Sequence, residues 1–343
     1  MKTTLSAILL WLRLAAQLHA ELRLVLWSQG FLGFVGIGKE TTWGTVVAAS
    51  DYFQIMSENI TETIDRFAVR NAIGAFYEPD DMDGVHRVGG DLVMFGHPVS
   101  IGHLLKAAMN TVSGSAVLSG FLHTSRFVTV HSEFADGVPS QPYTLEVYRD
   151  VSSSFRIAGA VCNRFALSLA PNQDLRATAS WLGKAVTLLD KTTPSFPGSP
   201  TAPFAFDTAS ISLAGAGTAK IEAFNLTIDN MIDGIPALNL STTIARMRRR
   251  DAQQVRFGGT LDFQNYSEYL DFKNQTERAI MLSVPRADSF QLVIDMPRAI
   301  YTAFPVGIPG RGRLTVGFQG MARYLASSDV ALSMALTTTK SNY

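Results

Sequence analysis

The sequence predicts a mainly β protein built as two tandem β-barrel or β-sandwich domains, each with one short flanking α-helix. Three observations carry that reading. Apolar residues alternate with polar or small ones along many short stretches, the period of a half-buried strand. The chain holds 27 Gly and 14 Pro, which supply the turns that many strands need. And one phrase, a strand carrying Gly-Gly followed by a short helix, occurs twice.

The first copy of the phrase is Arg87-Val88-Gly89-Gly90-Asp91-Leu92-Val93-Met94, alternating through Val88–Met94. Pro98 then opens a stretch with Ile101, Leu104, Leu105, Ala108 and Met109, an i, i+3, i+4, i+7, i+8 face with proline suited to its first turn. The second copy is Arg256-Phe257-Gly258-Gly259-Thr260-Leu261-Asp262-Phe263. Asn265 follows as a helix cap, and Tyr266, Tyr269 and Leu270 form the apolar face. Repetition of strand, Gly-Gly and helix indicates a duplicated β unit.

Taken in order, the chain opens with Met1-Lys2 and an apolar run, Leu5–Ala16, that has the outline of an export signal with a cleavage point at Ala20. Arg13 interrupts that run, Arg23 follows it, and it is shorter than the roughly 20 apolar residues a membrane span requires. An overlong gene start is the favoured reading, so residues 1–30 are set aside as an N-terminal extension. Gly33–Lys39 approaches a phosphate-binding loop, but Glu40 stands where a hydroxyl is needed, so it reads as the lead-in to a strand.

Ser57–Arg66 and Phe67–Phe76 suggest paired strands or a strand with a long loop, and Glu78–Asp83 an acidic turn. Val117–Val130, Tyr143–Arg149, Arg156–Val161, Phe165–Leu169 and Leu175–Trp181 follow as strands, with Asn172 and Asp174 turning the last hairpin. Pro194, Pro197, Pro200 and Pro203 mark a semi-extended linker rather than core. The predicted domains are therefore 31–193 and 205–343, joined by 194–204. In the second, strands are expected at Ala209–Leu213, Lys220–Ile228, Leu238–Ala245, Ala279–Val284, Ser289–Met296 and Leu314–Phe318. Arg313–Gly320 echoes Arg176–Gly183 in its alternation and terminal glycine.

Composition excludes several functions. The 29 basic and 29 acidic residues balance, whereas gripping nucleic acid by counterion release calls for a basic excess. Cys162 is the lone cysteine, so an intramolecular disulfide or a cysteine metal cluster is excluded, and its apolar neighbours predict a buried, inert thiol. No catalytic motif is complete, and His97 and His103 lie too far apart along a helix to chelate. The expectation is no enzyme, no cofactor and no metal.

One contrast remains. The segment before the first Gly-Gly strand carries Glu78, Asp80, Asp81 and Asp83, while that before the second carries Arg246, Arg248, Arg249 and Arg250. Equivalent loops of opposite sign would pair between neighbouring subunits of a ring and set their register.

The stretch Phe31–Thr45, reading FLGFVGIGKETTWGT, resembles the N-terminal phrase of tail tube proteins of long-tailed bacteriophages, where a segment like GxGKETTxGT begins the mature chain. The Arg-Val-Gly-Gly strand with Pro98–Met109, and Phe165–Gly183, are similar to the same family. The resemblance implies two tail-tube-like domains. It further implies rings of three such chains with pseudo-sixfold geometry, or of six, stacked into a hollow tube in the virion. DNA would pass through without specific binding, and a tape-measure protein, a tail terminator and baseplate proteins would be the partners. The alternative is a secreted two-domain β-sandwich for binding or adhesion, which takes the signal-like start at face value.

Overall fold

The computed structural model describes residues 28–68, 80–117, 123–128, 134, 137–196, 202–286, 288–308, 310–327, 330–340 and 343. The first half contains β1 (Phe34–Lys39), β2 (Asp51–Phe53), β3 (Ser57–Glu58), β4 (Thr61–Ala68), β5 (Asp81–Phe95), α1 (Pro98–Ala108), β6 (Asn110–Val117), β7 (His123–Val128), β8 (Tyr143–Tyr148), β9 (Ser153–Leu169), β10 (Arg176–Gly183) and β11 (Ala185–Asp190). The second contains β12 (Ser210–Leu213), β13 (Ala216–Thr218), β14 (Ile221–Asp229), β15 (Ile232–Ile235), β16 (Arg246–Arg249), β17 (Gln254–Asp262), α2 (Ser267–Lys273), β18 (Arg278–Pro285), β19 (Gln291–Ala303), β20 (Thr315–Ala322) and β21 (Ser333–Thr338).

All pairings are antiparallel, and their order repeats. β4, β5, β10 and the C-terminal run of β9 lie side by side, as do β14, β17, β20 and the C-terminal run of β19. Behind them β1, β8, β9 and β11 are matched by β12, β18, β19 and β21. The long strands β9 and β19 thus belong to both layers, each passing a bulge on the way.

The Gly-Gly phrase is explained by crowding. Gly90 stands opposite Trp181 and Gly259 opposite Phe318, so a large ring faces the second glycine in both halves. A methyl group on Gly89 would lie 3.0 Å from the Trp181 carbonyl oxygen, and one on Gly258 2.9 Å from that of Phe318. On Gly90 it would meet the Asn59 carbonyl oxygen at 2.5 Å, and on Gly259 that of Ala223 at 2.0 Å. Each pair of glycines lets a strand pass between two neighbours that press against its backbone.

The halves share one core. β14 pairs with β9 across the middle of the chain, from Phe224 opposite Leu169 to Asp229 opposite Arg164. β21 reaches back to pair with β7 as well as β19. Phe165, Leu167 and Leu169 are buried in the same cluster as Phe224, Leu226 and Ile228.

Several expectations are corrected. Phe204 is fully buried, and its backbone bonds to Gly96 and Leu175, because an aromatic ring at the end of the Pro-rich stretch fills the space beside α1; the predicted linker ends in core. Arg156–Val161 and Phe165–Leu169 are one strand. Leu238–Ala245 is not a strand: Leu238 and Leu240 are wholly exposed at the end of a hairpin whose strands are β15 and β16. Asp81–Asp83 belong to β5 rather than to a turn, since the β4–β5 hairpin runs on past the core.

On α2, Tyr266 and Leu270 are exposed while Glu268 and Asp271 are buried, because Lys220 (3.0 Å) and Arg278 (2.8 Å) compensate those carboxylates. The Asn265 side chain accepts a bond from Ser267 N–H (3.0 Å), the capping role expected of it, from one residue further out.

Candidate assembly surface

The phrase Gly38–Gly44 folds around the carboxylate of Glu40, which is fully buried. That carboxylate accepts hydrogen bonds from Gly44 N–H (2.7 Å), Thr144 Oγ1 (2.7 Å) and Gly159 N–H (2.8 Å). Trp43 Nε1 donates to the Gly159 carbonyl (3.1 Å), and Lys184 lies over the Trp43 ring. Gly44 (φ 80°) and Gly159 (φ 65°) have the left-handed backbone this corner requires. Glu40, which disqualified the phosphate loop, is the anchor that ties β1 to β8 and β9. Sequence reading missed it.

From the corner outward, the front sheet runs β4, β5, β10, β9, β14, β17, β20, β19. One face is core: β10 buries Ala177, Ala179 and Trp181. The other carries mostly short or polar side chains, for example Thr178, Ala166 and Thr227 in one transverse row and Ser168, Asn225 and Gln319 in the next. On it Arg164 is in register with Asp229 and the Ser180 hydroxyl donates to Asp91, while Arg256 and Arg176 stand in the two rows just named.

Both ends of this sheet are open among the described residues. β4 pairs with β5 on one side only and is exposed along nearly its whole length. At the other end Ile300–Ala303 of β19 has β20 on one side and no strand on the other. The equivalent run of β9 has strands on both sides, β10 and β14. The internal junction therefore shows what fits such an edge.

Of the charged residues singled out from sequence, Glu78 lies outside the described residues. Asp80, Asp81 and Asp83 are exposed on the β4–β5 hairpin, with Asp83 3.3 Å from Arg66. Arg246 is exposed and Arg250 stands 3.9 Å from Asp233. Arg248 donates to the Gly137 carbonyl, and Arg249 to those of Asn230 (3.0 Å) and Pro139 (3.3 Å), so these two hold the segment around 137–139 within the subunit. The chain leading to the basic segment meets β5 within the subunit, where His86 N–H donates to the Thr242 carbonyl at 2.8 Å. Asn230, fully buried, was not legible from sequence: its amide donates to the carbonyls of Ala108 (3.1 Å) and Cys162 (2.8 Å), tying α1, β9 and β15 together.

The tail beyond β21 joins an electrostatic cluster. Lys340 Nζ reaches the Asp51 carboxylate and lies 2.9 Å from His103 Nε2, which is itself 3.4 Å from Asp51. Tyr343 packs edge-on against His103 and its carbonyl accepts from Lys106. Burial pushes the His103 imidazole below its ordinary value, helped by Lys340 and Lys106. Burial alone would raise Asp51, but His103 and Lys340 outweigh it and hold that carboxyl far below the usual range. Burial pushes the Cys162 thiol well up. Among the described residues no three His, Cys, Asp or Glu side chains converge as a metal site would need, and no helix is long and apolar enough to cross a membrane.

Residues 30–342 match the family model described as phage tail tube protein. No curated protein matches the chain.

Proposed function

Because the chain belongs to the phage tail tube family, we propose that this structural protein of the phage tail polymerises through the two open ends of its front sheet into rings that stack as a tube. The observation that carries the proposal is the β9–β14 junction. There the chain already joins one four-strand unit to the next by main-chain pairing and a shared core, and leaves a free edge of each kind at its extremities. A sheet with unpaired edges recruits another chain, and a heterologous contact repeated by rotation closes into a ring.

In this reading residues 31–193 and 205–343 are two tube domains. Three chains then give the pseudo-sixfold ring, six being the other closure. The face bearing Thr178, Thr227, Asn225 and Gln319 lines the channel. Short polar side chains present DNA with a surface that does not hold it, in keeping with the zero net charge of the whole chain. Asp80, Asp81 and Asp83, with Glu78 beside them, and the exposed Arg246 and Arg250 supply complementary charge between subunits, alongside the inward-bound Arg248 and Arg249. The tape-measure protein fills the channel during assembly in the host cytoplasm, and terminator and baseplate proteins meet the two tube ends.

Negative-stain microscopy and native mass measurement of the purified protein test this. Rings or tubes of uniform bore are expected; a protein that stays monomeric under every assembly condition, or forms only solid aggregates, refutes it.

A further inference from the structure

We infer that residues 303–308 are a strand in waiting: they take up β structure only when β4 of a second copy of this chain lies beside them, and Ile308 then enters a groove behind that β4. The inference rests on the ring-forming reading above and adds its register and its conformational change.

Three observations lead to it. The first is a pattern shared by the two long strands. β9 ends Phe165-Ala166-Leu167-Ser168-Leu169, and the other half has Phe304-Pro305-Val306-Gly307-Ile308. In the first, all three apolar side chains are buried and the segment is strand, with β14 on its edge. In the second, Phe304 is buried, yet Val306 is 41% and Ile308 86% exposed, and β19 ends at Ala303. The same alternation is present, and what is missing is the neighbouring strand.

The second observation identifies the neighbour. β14 covers the edge of β9, and its counterpart in the first half is β4. Asn225 stands opposite Gly258 as Thr61 stands opposite Gly89, and Ala223 crowds Gly259 as Asn59 crowds Gly90. No β4 of the same chain can reach residues 303–308, because β4 occupies the opposite end of the sheet. The occupant is therefore another copy. Continuing the β19–β20 ladder from Ala303 opposite Gln319 makes Val306 the counterpart of Phe165, Gly307 that of Ala166 and Ile308 that of Leu167. Transferring the register of the internal junction, in which Leu226, Thr227 and Ile228 face Leu167, Ala166 and Phe165, sets Glu62 opposite Ile308, Thr63 opposite Gly307 and Ile64 opposite Val306.

The third is a receptacle. Behind β4 lies a groove of about 310 Å³ lined by Ile60, Phe155, Ile157 and Val186, with Glu62 and Arg149 at its rim. In the second half Leu167 and Leu169 join Phe224, Ile294 and Met296 in one core behind β14. Ile308 supplies from the next chain what Leu167 supplies from within. Pro305 has no N–H to offer, which blunts this edge against indiscriminate pairing until the correct partner brings its side-chain match.

Paired cysteines test the register, against a background in which Cys162 is buried. The double variant Thr63→Cys/Gly307→Cys places both thiols on the exposed face. Mild oxidation of its assembled form should give a covalent ladder of chains, whereas Thr63→Cys alone and the offset pair Thr61→Cys/Gly307→Cys should give little. Rings that form normally but yield no ladder from the matched pair, or an equal ladder from the offset pair, overturn this inference while leaving ring formation standing. Unmodified protein that forms no rings overturns both. Ile308→Ser provides a second measure: the isolated subunit should melt as the parent does, while assembly weakens at least tenfold, and undiminished assembly refutes the role of the groove.

Discussion

Replacing Glu40 measures how much of the N-terminal corner depends on one carboxylate. Glu40→Ala strands three donors, Gly44 N–H, Thr144 Oγ1–H and Gly159 N–H, in a site closed to water. Each donor left unsatisfied costs about 1–3 kcal/mol, so after partial relaxation the loss should be roughly 3–6 kcal/mol. That is a large share of the roughly 5–15 kcal/mol that holds a domain together. Glu40→Gln separates charge and shape from bonding. Its oxygen can still accept from Thr144 and Gly159, but its amide nitrogen then faces the Gly44 N–H, so a loss of about 1–3 kcal/mol is expected. Urea unfolding of the unassembled subunit, followed by tryptophan fluorescence, reads both variants, and Trp43 sits in the affected corner. An alanine variant within about 0.5 kcal/mol of the parent, or a glutamine variant worse than the alanine one, would refute the reasoning.

Other expectations follow from the same physics. Gly259→Ala and Gly90→Ala should each lower stability by about 1–3 kcal/mol in thermal melts, because the added methyl meets carbonyl oxygen at 2.0 and 2.5 Å. Gly217→Ala, with open space around it, should be near neutral. Acid should loosen the tail in two stages. His103 is held neutral in the folded chain, so its contribution is lost as pH falls below its ordinary value of 6.5. Asp51 is held ionised, so its contribution is present above 3.8 and lost as pH falls below that. His103→Gln should flatten the melting profile between about pH 6.5 and 5, and a parent profile already flat there would contradict the assignment. Cys162 should react with a thiol reagent only at the rate of unfolding; rapid labelling of native protein would show the thiol to be accessible.

Much of the fold could be read from the sequence because its signals are local. Alternation at Val88–Met94 and Ala177–Trp181 needs only one buried face, and Pro98 with Ile101, Leu104 and Leu105 needs only a helical period. Asn172, at φ 58°, turns the β9–β10 hairpin as an asparagine can. The candidate site was less legible, because its edges are defined by which strand lies beside which. Nothing in Thr61–Ala68 alone says that its far side is open. α2 misled because its buried carboxylates depend on Lys220 and Arg278 from other elements. Phe204 misled because four prolines outweighed one aromatic ring. The basic run was recognised as charge, but the carbonyls that engage Arg248 and Arg249 come from distant segments.

The return of β21 to β7 bears on the order in which the molecule can be made. Ser333–Thr338 pairs with His123–Val128, so the β6–β7 hairpin waits for a segment synthesised some two hundred residues later. A nascent chain on the ribosome consequently has an unfinished first half until nearly everything else has emerged. That timing keeps half-made subunits from joining a growing polymer, and it makes truncation near the C-terminal end damaging to the N-terminal half, a dependence limited proteolysis of shortened chains would reveal.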